Sequence, residues 1–423
     1  MKKHFKLTCL FISFAISALM VGVFIWTSTG SFLSLMDKKW VDFIIQERSE
    51  RPISPAVVIA AVDTKSVDKY GRWPWPRTRM AELVEALNEY YRVATIGFDM
   101  VFSEPSHIDP YGDARLAKTI EETPNTVLGY FFYTNPADVQ HLSEDRVAES
   151  ERRIARFAAP MTGLIDPDLI PLGLVVESNI AEISGGGVLA GYFNIQLDIE
   201  DGFIRRAHLL MRHRGGLYAS LDLQIMRHYY GNQPTRILAD EETGVLMGIE
   251  IGPDKFIPTA FDGSIMLNFK GPARTFPHYS IYDIIERAIP KEALQGKIVL
   301  IGATEVGIGD FLNTPAGSLH GVEIHATAID NVLTETYFSI TAANDLVTVA
   351  VMLLVGLLLG IVLPKLKLLY GSVITVVLMV AYTFLHRWMV MELLSWTSYV
   401  YVILVLPAVW VAVTIYRGQI AKL

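Results

Sequence analysis

The chain has 423 residues, 51% hydrophobic and 19% charged, a balance that excludes a disordered polypeptide and argues against a wholly soluble one. Its formal charge of −8 hides an asymmetry: residues 1–26 carry Lys2, Lys3 and Lys6 and no acid, residues 345–423 carry five basic residues against Asp345 and Glu392, and residues 27–344 are left with −14. An acidic middle between basic, apolar ends is not the pattern of a nucleic-acid binder, and a single cysteine, Cys9, excludes an intrachain disulfide or a cysteine zinc site.

Residues 7–26 form an uncharged apolar run, and about twenty such residues cross a ~30 Å hydrocarbon core. Basic residues precede the run, as in a signal peptide, but no A-x-A site follows it and Cys9 sits at its start, so it reads as an uncleaved anchor. Phe32, Met36, Trp40, Phe43 and Ile44 then recur at helical spacing, which predicts that the helix continues outward. Residues 49–55, with Pro52 and Pro55, break it.

From there strand and helix patterns alternate. Strands are expected at 57–62, 93–98, 126–133, 187–195, 205–212, 246–251, 264–269 and 297–301, and helices at 77–90, 217–230, 280–287 and 321–332. This alternation predicts an α/β domain with a mixed sheet, with the polar stretch 136–151 as a surface excursion.

Three further uncharged runs, 346–363, 368–385 and 397–416, are each near spanning length. Lys365 and Lys367 lie between the first two, and Arg417 and Lys422 follow the last. Placing these basic segments and the N-terminus in the cytoplasm gives four crossings with both termini inside. The expected organisation is a cytoplasmic tip and first span (1–29), an extracytoplasmic domain (30–344), three spans (345–416) and a short tail (417–423), all in the cytoplasmic membrane.

Several strings carry polar residues where chemistry could reside. Two apolar strands run into Asp63 and Asp99. Carboxyl ends of strands edge the crevice of open α/β sheets, so the pair could hold a cationic ligand or a hard cation; alternatively each caps a turn or helix. In Gly71-Arg72-Trp73-Pro74-Trp75-Pro76-Arg77 the prolines force an extended path, and the indoles either wall a ligand or pack the loop. Asp201-Gly202 is a hairpin signal. Arg205 and Arg206 fall on opposite strand faces, so at most one faces a shared site.

The strand at 297–301 enters a long loop bearing Gly302, Gly307, Gly309, Asp310, Thr314 and Pro315, a kind of loop that is often functional. It is neither a P-loop nor a dinucleotide fingerprint. His320 and His325 lack the H-E-x-x-H spacing, and no G-x-S-x-G elbow occurs. An outward-facing enzyme built on Asp63, Asp99 and Asp310 would lack a nucleophile. A transporter would lack charged or broken spans, Pro407 apart.

Taken in order, strand-Asp63, GRWPWPR, Gly97-Phe98-Asp99, Phe102-Ser103-Glu104-Pro105, Asn194, Asp201-Gly202, Arg205-Arg206, Asn268-Phe269, Gly271-Pro272, Ser280, residues 296–304, Asp310, Thr314-Pro315 and Gly321-Val322-Glu323-Ile324-His325-Ala326 resemble the type 2 CHASE domain. This is the cyclase- and histidine-kinase-associated sensory extracellular family of bacteria. The resemblance covers roughly residues 30–340, and one span before with three after is similar to that family's usual layout.

It implies an extracytoplasmic sensor feeding a cytoplasmic cyclase or kinase, with a homodimer and membrane lipid as partners, no cofactor and an undefined ligand. The seven residues after Tyr416 hold no output domain, so either the sequence is cut short or the chain signals through a partner. The alternative is an envelope scaffold that recruits proteins through its outer domain. Strand-end geometry and the family motifs together nominate Asp63, Trp73, Trp75, Arg77, Asp99, Asp201, Arg205, Asp310, Thr314 and Glu323 as candidate ligand-crevice residues, with no metal site.

Overall fold

In the computed structural model, residues 2–420 are described except 28–29, 49, 141, 161–164, 186–187, 306 and 341. Ser49, Gly187 and Lys422, used above, lie outside the described residues. Contacts divide the chain into two units, one of Met1–Arg48, Ile199–Asp201 and Phe338–Leu423, the other of Ser49–Asp198 and Gly202–Tyr337.

Among the described residues the first unit carries four helices long and apolar enough to cross a membrane: His4–Thr27, Ala343–Lys365, Leu368–Glu392 and Val400–Ile420. In a bilayer no hydrophobic effect drives helices together, so close backbone approach at small residues must do so. Ser13 and Ser17 on the first helix meet Gly356 and Gly360 on the second. A Cβ on Gly356 would lie 2.9 Å from the Ser17 Cβ, and one on Gly360 2.8 Å from that of Ser13.

The helix Phe32–Gln46 belongs to this unit too. Its Asp37 accepts from the amides of Tyr399 (2.7 Å) and Val400 (2.8 Å), placing a carboxylate on the N-terminus of the last spanning helix, where the dipole favours it. Within the same unit Lys38 pairs with Glu200 (3.1 Å) and Lys39 with Asp201 (2.6 Å).

The second unit is built on a sheet of seven strands: β1 (Val57–Val62), β2 (Thr95–Phe98), β3 (Thr126–Tyr133), β4 (Val175–Glu177), β5 (Leu189–Tyr192), β6 (His278–Ser280) and β7 (Ile298–Ala303). Their order is β6-β1-β7-β2-β3-β4, with β5 also on β3. Every pairing is parallel except β3 with β4. The registers Val62 to Ala303 and Ile301 to Phe98 bring the carboxyl ends of β1, β7 and β2 to one edge.

The residues of β1 are buried throughout, as are those of β7 up to Gly302, which is why they read as continuous apolar runs. The helix Leu221–Tyr229 seats tightly on β2: a Cβ on Gly97 would lie 2.4 Å from the Ile225 Cδ1.

Several local expectations need correction. The first helix ends at Thr27 and a new one starts at Phe32, where the Ser31 hydroxyl accepts from the Ser34 amide and Gly30 adopts φ +70. The local cap outcompetes a continuous helix. The expected helix at 217–230 is a strand, Gly216–Ala219, followed by the helix Leu221–Tyr229 with Ser220 as its cap. The polar 136–151 stretch includes most of a helix, Glu144–Ile154, whose Ser143 cap carries the start signal. Part of the long loop after β7 is a hairpin, Phe311–Thr314 with Gly317–His320.

Candidate ligand cleft at the carboxyl edge of the sheet

Beyond the ends of β2 and β7 lies a cleft of about 320 Å³, lined by Asp99, Phe131, Phe193, Asn194, Asp310 and Gly321 among others. β2 delivers Asp99, the loop after β7 delivers Asp310, and the strand-end residues 193–195 after β5 supply the facing wall. The Asn194 side chain pairs with the β3 backbone, accepting from the Phe132 amide (2.8 Å) and donating to the Phe132 carbonyl (2.7 Å). That bonding fixes the wall.

Behind Asp99 stands a buried charge array. His325, on the helix Gly321–Thr334, places Nδ1 2.8 Å from Asp222 Oδ1 and Nε2 3.6 Å from Asp99 Oδ1. Burial opposes a charge on the ring, but Asp222 and then Asp99 overcome it, and the imidazole pKa rises to about 9. Its ring is therefore an imidazolium at neutral pH, and both nitrogens are donors. Burial pushes the Asp99 carboxyl up, His325 pulls it down, and Asp222 and Asp310 push it up again. Two carboxylates thus flank one imidazolium, and Asp310 adds another on the cleft side, leaving excess negative charge beside two phenylalanine rings. A hard cation wants six or more oxygen ligands. Among the described residues no group of three or more His, Cys, Asp or Glu could hold a metal ion. The arrangement suits an organic ammonium, which takes one or two carboxylates and an aromatic face.

Of the sequence candidates, Asp99 and Asp310 share this cleft. Asp63 does not reach it: β7 lies between β1 and β2, which spaces the two strand ends roughly 10 Å apart. Its Oδ1 caps the helix Thr64–Tyr70, accepting from the Ser66 amide (2.9 Å), the Ser66 hydroxyl (2.7 Å) and the Ser280 hydroxyl (2.8 Å). Trp73 and Trp75 pack edge to face at 5.1 Å, and Trp75 Nε1 donates to the Gly71 carbonyl. Arg77 pairs with Asp113 (3.3 Å) and lies over the Phe102 ring.

Asp201 pairs with Lys39, Arg205 with Asp198 at 3.0 Å, and the Thr314 hydroxyl donates to the Gly317 carbonyl. Glu323 closes the first turn of its helix by accepting from the His320 amide (3.1 Å), and also accepts from the Arg274 amide (2.5 Å).

The sequence reading missed Asp222, and it weighed His325 only for a zinc spacing and within a family motif without nominating it for the site. Asp222 had a legible signal, since it falls between Leu221 and Leu223 at the start of a largely apolar helix and has to be paired if that face is core; His325 is one of several polar residues on its helix and carried no such signal.

The CHASE2 domain family matches residues 16–362, the greater part of the chain. The chain belongs to the CHASE2 family. CHASE2 is an extracellular sensory domain, and with four candidate spans the chain is a multi-pass membrane protein with a sensory role. The match runs wider than the motifs did, taking in much of the first spanning helix and the second up to Val362. Neither the curated proteins nor the solved structures give a match.

Proposed function

We propose that this CHASE2 chain is a non-enzymatic sensor of the cytoplasmic membrane, with both termini in the cytoplasm and residues 30–344 outside, working as a homodimer. Its cleft takes a small organic cation and relays the binding to a cytoplasmic cyclase or kinase carried by this polypeptide or by a partner. The observation that carries this reading is the acidic cleft of Asp99 and Asp310, backed by the buried Asp222–His325 pair, inside an extracellular sensory family. The lysine and arginine placement supports the orientation.

The chain passes between the two units at 48/49, 198/199, 201/202 and 337/338, so a change in the sensory unit has four covalent routes to the spans. A ligand drives such a change only by binding one arrangement better than the other.

The test uses the full chain in lipid nanodiscs, with choline and putrescine as probes and malonate as the anionic control. At least one cation should raise the melting temperature saturably. Asp99→Asn should weaken binding by about tenfold, equivalent to about 1.4 kcal/mol. Asp310→Asn, at an exposed position, should weaken it without touching the fold. If neither cation binds, or malonate binds as well, the cleft reading falls. Crosslinking between the first and last spans should change with the bound cation. A stoichiometric protein partner that co-purifies while no cation acts would favour the scaffold instead.

A further inference from the structure

The sensory unit has a second hollow of about 380 Å³, larger than the cleft and opposite to it in chemistry. Its walls are apolar, with Leu189, Leu217 and Ile237 among them. The polar lining includes Arg156, Arg227 and Gln224, and no carboxylate lines it at all, although residues 27–344 carry −14. Cationic lining in so acidic a segment is the first observation.

The second concerns the helix Leu221–Tyr229. Gln224 and Arg227 are three residues apart and so share one face. Gln224 is only 4% exposed, and its Oε1 has no hydrogen-bond partner among the described residues. A buried amide oxygen without a donor is costly to leave so. Arg227 donates through Nε to the Gln233 carbonyl (3.0 Å) and forms no ion pair among the described residues. The outer nitrogens of its guanidinium fork match a carboxylate in geometry and charge. The Arg156 guanidinium lies 4.6 Å over the Phe157 ring, at the same hollow.

We propose that this hollow is a binding site for a small carboxylic acid with an apolar body and one N–H or O–H donor. The carboxylate meets Arg227 beside Arg156, the apolar body fills the walls, and the donor meets Gln224 Oε1. The site is distinct in residues and in ligand charge from the acidic cleft, so the two readings stand or fall separately.

Indole-3-acetate supplies all three features, 1-naphthaleneacetate lacks the N–H, and tryptamine replaces the acid with an amine. Calorimetry on the full chain in nanodiscs should show saturable binding of both acids, indole-3-acetate the tighter, and no displacement of indole-3-acetate by tryptamine. Arg227→Gln should weaken both acids by tenfold or more. Gln224→Leu should erase the advantage of indole-3-acetate while leaving 1-naphthaleneacetate unchanged, a pattern misfolding cannot mimic. No binding of either acid, equal affinity in the Arg227→Gln protein, or tryptamine displacing indole-3-acetate as well as 1-naphthaleneacetate does would each overturn the proposal.

Discussion

The ends of β1 and β2 present the same sequence feature, an apolar buried strand running into aspartate, and the structure gives the two carboxylates opposite employment. Asp63 is satisfied by neutral donors: an amide and a hydroxyl of Ser66 three residues on, and the Ser280 hydroxyl at the end of the adjoining β6. Asp99 faces a histidine from a helix more than two hundred residues later, itself held by an aspartate from a third element. Hydrogen bonds from neutral donors make a structural group; charge pairing at a cleft makes a group whose state depends on what occupies the site. A strand-end aspartate therefore tells nothing until the nearest donors are counted.

The contrast can be broken most severely at His325. Replacing it with alanine leaves the buried Asp222 and the half-buried Asp99 without their cation, which should cost about 3–5 kcal/mol in chemical unfolding of the full chain; a loss below about 1 kcal/mol would mean the array is solvated and the contrast false.

Next in size is pH. The imidazole pKa rises from 6.5 to about 9 on folding. Its contribution is therefore complete below the unfolded value near 6.5 and lost as pH rises through about 9. At about 1.4 kcal/mol per unit this is on the order of 3 kcal/mol. The raised Asp99 carboxyl slopes the same way from its ordinary 3.8 upward. Melting temperature should fall between pH 6.5 and 9, and His325→Gln should flatten that fall; a melting temperature that climbs over this window would sink the assignment.

The smallest effect sharpens the other arm. Asp63→Ala should cost about 0.5–2 kcal/mol, Asp63→Ser should restore most of it, and the choline or putrescine response should be unmoved. A lost cation response would place Asp63 in the sensing machinery after all.

Much of the architecture was legible because it is written in local pattern. The four spans follow from uncharged apolar runs, and β1, β2, β3 and β7 from apolar runs close to where they occur. The site was legible only by half. Asp99 and Asp310 stand at positions that strand-end geometry marks out, whereas Asp222 and His325 meet through a tertiary contact that no spacing rule encodes. The Gly356–Gly360 pair against Ser13 and Ser17 was readable as a small-residue repeat, but apolar content hides it when spans are judged by hydropathy alone. Where the structure departs from expectation, as at Ser31 and Ser220, one hydroxyl cap overrides the apolar periodicity around it.

The helix Leu221–Tyr229 turns Asp222 toward His325 and lends Gln224 and Arg227 to the second hollow, while Ile225 sits against β2 where Gly97 leaves no spare room. A movement of this helix for one occupant therefore reaches the residues of the other site. Thermodynamic reciprocity then fixes the outcome: whatever factor the acid changes in the affinity for the cation, the cation must change in the affinity for the acid. The two proposed occupants would therefore share one helix, and the response to either would depend on the other.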